Sequence, residues 1–131
     1  MNYLPVSEPD CVKILAELRW GAAPTCYKCG STQSSKSRRS RLWNCRGCRS
    51  QFSVTQGTFL AKAHLDLPDW FAGITVMLRM PSATTGALAK EALLPFPTMK
   101  MLRQRFTTAL DASDPFALAV RAFVLKVTTA T

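Results

Sequence analysis

The chain has 131 residues, 47% of them hydrophobic, and carries 17 Lys or Arg against 8 Asp or Glu, for a formal net charge of +9. Such a length fits one domain or two small ones, and four thiolates on one dication would still leave about +7. A balance of this sign attracts polyanions, nucleic acid before anionic membrane. A membrane span would need roughly 18 consecutive apolar residues, and Arg121 interrupts the most apolar stretch, Phe116 to Leu125. The opening MNYLPVSEPD lacks the basic then apolar order of a signal peptide, so the chain reads as cytoplasmic.

In chain order, Ser7 followed by Glu8 and Asp10 predicts a helix start, and Cys11, Ile14, Leu15 and Leu18 its apolar face. That helix ends near Trp20-Gly21, and Cys11 reads as a small core residue. From Arg39 to Val54, "RRSRLWNC" and "QFSVT" are short alternating runs separated by "RGCR". They predict a hairpin whose turn carries Cys45 and Cys48, with Trp43 and Phe52 covering one side.

Two Cys-x-x-Cys pairs, Cys26/Cys29 and Cys45/Cys48, are separated by 15 residues. In a reducing compartment this spacing points to a four-thiolate zinc site rather than to disulfides. Gly30 and Gly47 stand where tight metal-binding turns want no side chain. The segment is therefore expected to be a zinc ribbon holding one structural Zn²⁺, fully coordinated and closed to substrate. A redox dithiol is disfavoured because no alternation of strand and helix surrounds the pairs.

After Gly57 the chain reads as helices. The first starts at Asp66 and Pro68, presents Trp70, Phe71, Ile74, Met77 and Leu78, and stops near Pro81. A shorter one runs from about Thr84 to Leu93 with Ala87, Leu88 and Ala92 inward. After the break "LLPFP", Pro97 opens a third with Met99, Leu102, Phe106, Ala109 and Leu110 inward. Asp114 and Pro115 start a fourth that is apolar almost all round, through Phe116, Leu118, Val120, Phe123, Val124 and Val127. The expected architecture is a small α+β protein: one helix, a β-hairpin-type zinc ribbon, then a helix-turn-helix-like cluster. Its segments are 1–22 (amino-terminal helix), 23–58 (ribbon), 59–112 (helical domain) and 113–131 (apolar carboxy-terminal helix, for packing or a homodimer).

No acidic residue occurs from Pro24 through Ala63, so the ribbon's charge cannot neutralise itself. Lys36, Arg38, Arg39, Arg41, Arg46 and Arg49 are read as phosphate contacts. Lys100, Arg103 and Gln104 on the outer side of the third post-ribbon helix are residue types that read base edges in a major groove. Tyr27, Trp43 and Phe52 would suit stacking on single-stranded bases, which keeps RNA open beside DNA. His64 reads as an exposed or capping residue. No catalytic residue is assigned, because the carboxylates Asp66, Asp69, Glu91, Asp111 and Asp114 do not pair for metal or acid-base work.

"LAELRWGAAPTCYKCGS" and "SRRSRLWNCRGCRSQFSVTQGTFLAKAHLDLPDWFAGITVML" resemble the amino-terminal part of bacterial insertion-sequence transposases of the DDE type. The resemblance implies transposon-end DNA binding by the ribbon and the following helices, with a separate RNase H-like domain doing the cutting. Pro95 and Pro97 depart from it, standing where that family tends to have a Gly-containing turn. The chain also stops about twenty residues after Leu110, whereas a catalytic domain needs on the order of 100 residues. The expectation is a non-enzymatic, nucleoid-associated DNA-binding protein that regulates transcription. The rival readings are a module docking on RNA polymerase or another regulator, and a non-catalytic subunit or remnant of a transposase.

Overall fold

The structure is a computed structural model that describes residues 4–38, 41–61 and 65–129, Thr129 by its backbone alone. Helix α1 spans Glu8–Trp20, and the Ser7 hydroxyl accepts from the Asp10 N–H at 3.3 Å to cap it. Of its expected inward residues Cys11, Ile14 and Leu15 are buried and Leu18 is half-buried, while Val12, outside the expected face, is buried as well.

Three antiparallel strands follow in the order β1 (Ser34–Lys36), β2 (Leu42–Cys45) and β3 (Gln51–Ser53), with Trp43 opposite both Lys36 and Phe52. The hairpin β2–β3 is the expected one. Strand β1 is an addition, because "SSK" has no apolar alternation to announce a strand and is held by backbone pairing with β2. Trp43 and Phe52 stack at 6.3 Å, and Trp20 from α1 meets both edge-on at 5.1 and 5.5 Å. These contacts anchor the ribbon to α1, and each aromatic pair adds about 0.5–1.5 kcal/mol beyond its buried area.

The ribbon's exit is locked by its own side chains. Ser53 Oγ accepts the Gln56 N–H at 3.0 Å, Gln56 Oε1 accepts the Ser53 N–H at 3.3 Å, and the Thr58 hydroxyl caps the Thr55 carbonyl. This is the physical content of the "QFSVTQGT" run.

Helices α2 (Leu67–Arg79), α3 (Thr85–Ala92), α4 (Phe96–Asp111) and α5 (Pro115–Thr129) complete the chain. Asp66 precedes α2 at the cap position without a side-chain cap bond, whereas Asp114 Oδ2 caps α5 by accepting the Ala117 N–H at 3.2 Å. Two expected faces shift. In α3 Ala89 is buried and Ala87 exposed, and in α2 Gly73, Thr75 and Val76 join the core. Gly73 lets α4 approach so closely that an added Cβ would sit 2.5 Å from Leu102 Cδ1.

Phe59 from the ribbon exit packs against Trp70, Phe106 and Phe116, joining α2, α4 and α5 around one centre. Helix α5 buries Phe116, Ala117, Val120, Val124 and Val127 against α1, α2 and α4. The first and last helices thus share one core, and most of the apolar surface that made α5 unsuitable for water is covered within the chain.

Candidate metal centre and nucleic-acid interface

Two similar turns build the metal centre. In the first, the Cys26 N–H donates to Ser31 O and the Gly30 N–H to Cys26 O, both at 2.9 Å. In the second, the Cys45 N–H donates to Ser50 O and the Arg46 N–H to Gln33 O, both at 2.8 Å. The residue after each pair's second cysteine is left-handed: Gly30 at φ 76° and Arg49 at φ 61°. Gly47 stands, as expected, where a side chain would be in the way. Its φ is not positive, and an added Cβ would lie 3.1 Å from Ser31 Cβ and 3.4 Å from Cys29 Sγ, so its missing side chain lets the turns approach.

The four sulfurs lie within 4.8 Å of one another, with Cys26 and Cys48 at 3.7 Å and Cys29 and Cys45 at 3.6 Å. Four thiolates about 2.3 Å from one tetrahedral zinc would be about 3.8 Å apart, so the cage fits the ion. Cys48 is held down to about 6 by the Ser50 hydroxyl and its backbone N–H, and Cys45 is lowered by the Cys48 N–H, so the second turn is disposed to present thiolates. The four cysteines are positioned to hold one structural Zn²⁺, and a tetrahedral ion bound by all four would have every position filled by protein.

The expected phosphate contacts separate into groups. Arg38, Arg46 and Arg49 are exposed, as is Lys36, which also lies over the Trp43 ring at 4.8 Å. Arg41 differs from the expectation. Its Nε donates to Glu8 Oε1 at 2.7 Å and its Nη2 to Leu65 O at 3.2 Å, so a phosphate would have to displace an ion pair. Arg39 and His64 lie outside the described residues.

Sequence reading missed Arg19, whose Nη1 donates to Ser53 O and Val54 O at 3.0 Å each, stitching α1 to the ribbon. Burial pulls its pKa below the usual range, and Asp114 acts against that. The only local signal is its place beside Trp20, over whose ring it stacks at 5.0 Å. Among the aromatics offered for base stacking, Trp43 and Phe52 face the core and Tyr27 is exposed.

On α4, Lys100 and Gln104 are exposed, and Gln104 lines a cavity of roughly 630 Å³ with Met101, Thr108 and the ribbon-exit residues Thr58 and Phe59. Arg103 is half-buried and donates from Nη1 to Thr85 Oγ1 at 3.1 Å, while the neighbouring Arg105 turns to the Ala61 carbonyl. Helices α3 and α4 are joined by Leu93, Leu94 and Pro95, with Leu93 left-handed at φ 58° and ψ 42°. That position is one a glycine would ordinarily take.

Closed four-cysteine turns on a three-stranded sheet, docked on a basic helical chain, define a zinc-ribbon protein. Residues 6–51 match the transposase zinc-ribbon domain family (IS1595), so the amino-terminal part of the chain is similar to such a domain. Over 113 residues, 84% of the chain, it is 26% identical to an uncharacterized protein in transposable element ISH50 of Halobacterium salinarum. The chain spans 38% of that protein's length. No solved structure matches it. Among the described residues, no helix is long and apolar enough to cross a membrane.

Proposed function

We propose that this chain is a cytoplasmic, nucleoid-associated DNA-binding protein that regulates transcription and does not itself cut strands. Lys36, Arg38, Arg46 and Arg49, with Arg39, hold phosphates, while α3, the three-residue turn and α4 act as a helix-turn-helix whose Lys100, Arg103 and Gln104 approach base edges. The observation that carries this reading is Arg49. An exposed arginine occupies a left-handed position in the second metal turn where the first turn has Gly30. A non-glycine residue there costs roughly 1–2 kcal/mol, a penalty that a charged contact would justify.

The test is selection of bound duplexes from a random pool by zinc-loaded protein near physiological salt, followed by a salt titration. The expected result is one recurring motif and an affinity that falls with a log–log slope of roughly 0.9 per phosphate contacted. A flat salt response removes the proposal. Incubation with duplex and Mg²⁺ is expected to leave strands intact, and cleavage would transfer the chain to the enzymes.

A second reading is a module that docks on a protein such as RNA polymerase, favoured by the apolar remainder of α5, where Leu125 is 41% exposed. A homodimer through α5 belongs to the same reading. Retention of DNA binding in an Arg46→Ala, Arg49→Ala variant that loses a bound protein partner would support it.

A further inference from the structure

Two large apolar residues stand in water at the α3–α4 turn, Leu93 at 90% exposure and Phe96 at 52%. Leu93 breaks two local preferences at once, since it is apolar in solvent and left-handed where a glycine fits better. Such conflicts between a residue and its place are expected where function overrides stability. Phe96 is the first residue of α4, held between Pro95 and Pro97, whose rings fix their own φ angles. Its ring is presented on stiff backbone, so little ordering cost remains when something covers it.

What covers it is indicated by the row it belongs to. Phe96, Lys100 and Gln104 are four residues apart along α4 and all exposed, so they form one stripe. Exposed cations flank the tip at Lys90 and Lys100, with Glu91 the exposed carboxylate beside them. The occupant must therefore offer anionic groups and an apolar one close together. A DNA major groove does so: its phosphates are anionic, and its apolar feature is the 5-methyl group of thymine. The stripe then carries three complementary groups, an aromatic ring for that methyl, a lysine for guanine O6 and N7, and a glutamine for the adenine N6/N7 edge.

We propose that Phe96, supported by Leu93, is a specificity-determining residue that contacts a thymine methyl. This rests on the DNA-binding reading above and adds which base the first turn of α4 selects.

The test uses duplexes recovered by selection with the zinc-loaded full chain, resynthesised with each dT replaced in turn by deoxyuridine, which removes the methyl alone. The expected result is a loss of about fourfold in affinity at one or two thymines, the value of one buried apolar carbon. The Phe96→Ala variant should bind more weakly and be indifferent to the same replacements, and Phe96→Leu should keep part of the sensitivity. Thermal melting of both variants at the wild-type midpoint shows that the ring, not the fold, has been changed. Indifference of the wild type to every deoxyuridine overturns the inference while specific, salt-dependent binding leaves the DNA-binding reading standing. Recovery of unsorted DNA overturns it together with base reading by α4, and no salt-dependent binding at all removes both proposals.

Discussion

Glu8 on α1 holds Arg41 at the start of β2: Glu8 Oε1 accepts from Arg41 Nε at 2.7 Å, while Oε2 accepts the Leu67 N–H at the start of α2 at 3.1 Å. One carboxylate thus ties the first helix, the ribbon and the helical cluster together. Both side chains keep more than a quarter of their exposure, so the pair is partly screened and Arg41→Ala should cost about 1 kcal/mol. The variant should melt earlier and keep the wild-type salt slope for DNA. Arg46→Ala should do the reverse, with an unchanged midpoint and a slope lower by about 0.9. Calorimetry beside a salt titration separates the two roles, and a slope change in Arg41→Ala would return that arginine to the phosphate set.

Arg49→Gly should separate stability from binding most cleanly. At φ 61° glycine relieves the left-handed strain, and after its larger unfolded-state entropy the net gain is about 0.5–1 kcal/mol. The variant should melt higher and bind DNA more weakly. A variant both less stable and unchanged on DNA would contradict the reason given for an arginine at that turn.

Metal and ribbon should fold as one event. One zinc per chain is expected, and a strong chelator should abolish β-sheet signal while leaving much of the helical signal. Protons compete with zinc for the thiolates, so the metal is retained at neutral pH and lost on acidification. Ser50 stabilises the Cys48 thiolate, so Ser50→Ala raises that thiol's pKa and should shift zinc release to higher pH, with about a tenfold loss of affinity. Release monitored by a chromophoric chelator across pH measures this, and an unshifted release curve would deny Ser50 any part in holding the metal.

Cys11 should be inert. It is fully buried, its thiol faces Pro5 O at 3.9 Å, and burial, followed by Glu8 and Asp10, pushes it up to about 12. Between 9.0, its ordinary value, and about 12 the native state keeps a proton that the unfolded state loses. Stability therefore falls as pH rises through that window, and Cys11→Ala should flatten this part of the profile. A thiol reagent at pH 8 should reach Cys11 only in denaturant; rapid reaction in the zinc-loaded fold would show that the site opens.

Gly73→Ala should destabilise the chain by about 1–3 kcal/mol, because the methyl enters the space of Leu102 and separates α2 from α4. Trimming the partner in the double variant Gly73→Ala, Leu102→Val should recover part of the loss. Additive losses in a double-mutant cycle would mean that the two positions do not meet.

The local features were legible in order along the chain. Cys26, Cys29, Cys45 and Cys48 announce a metal centre because tetrahedral thiolate turns require that spacing, and Ser7, Asp114 and the apolar periods of α2, α4 and α5 announce helices because caps and faces are set by neighbours a few residues away. What the tertiary structure decided was the assignment of the arginines and the third strand. Arg19, Arg38, Arg41 and Arg49 carry the same guanidinium, yet Arg19 meets carbonyls 34 and 35 residues away and Arg41 a carboxylate 33 residues away. Strand β1 exists because β2 offers it backbone partners. A side chain's charge is a property of the residue; whether that charge is neutralised inside the fold or left facing solvent depends on groups that only folding brings near.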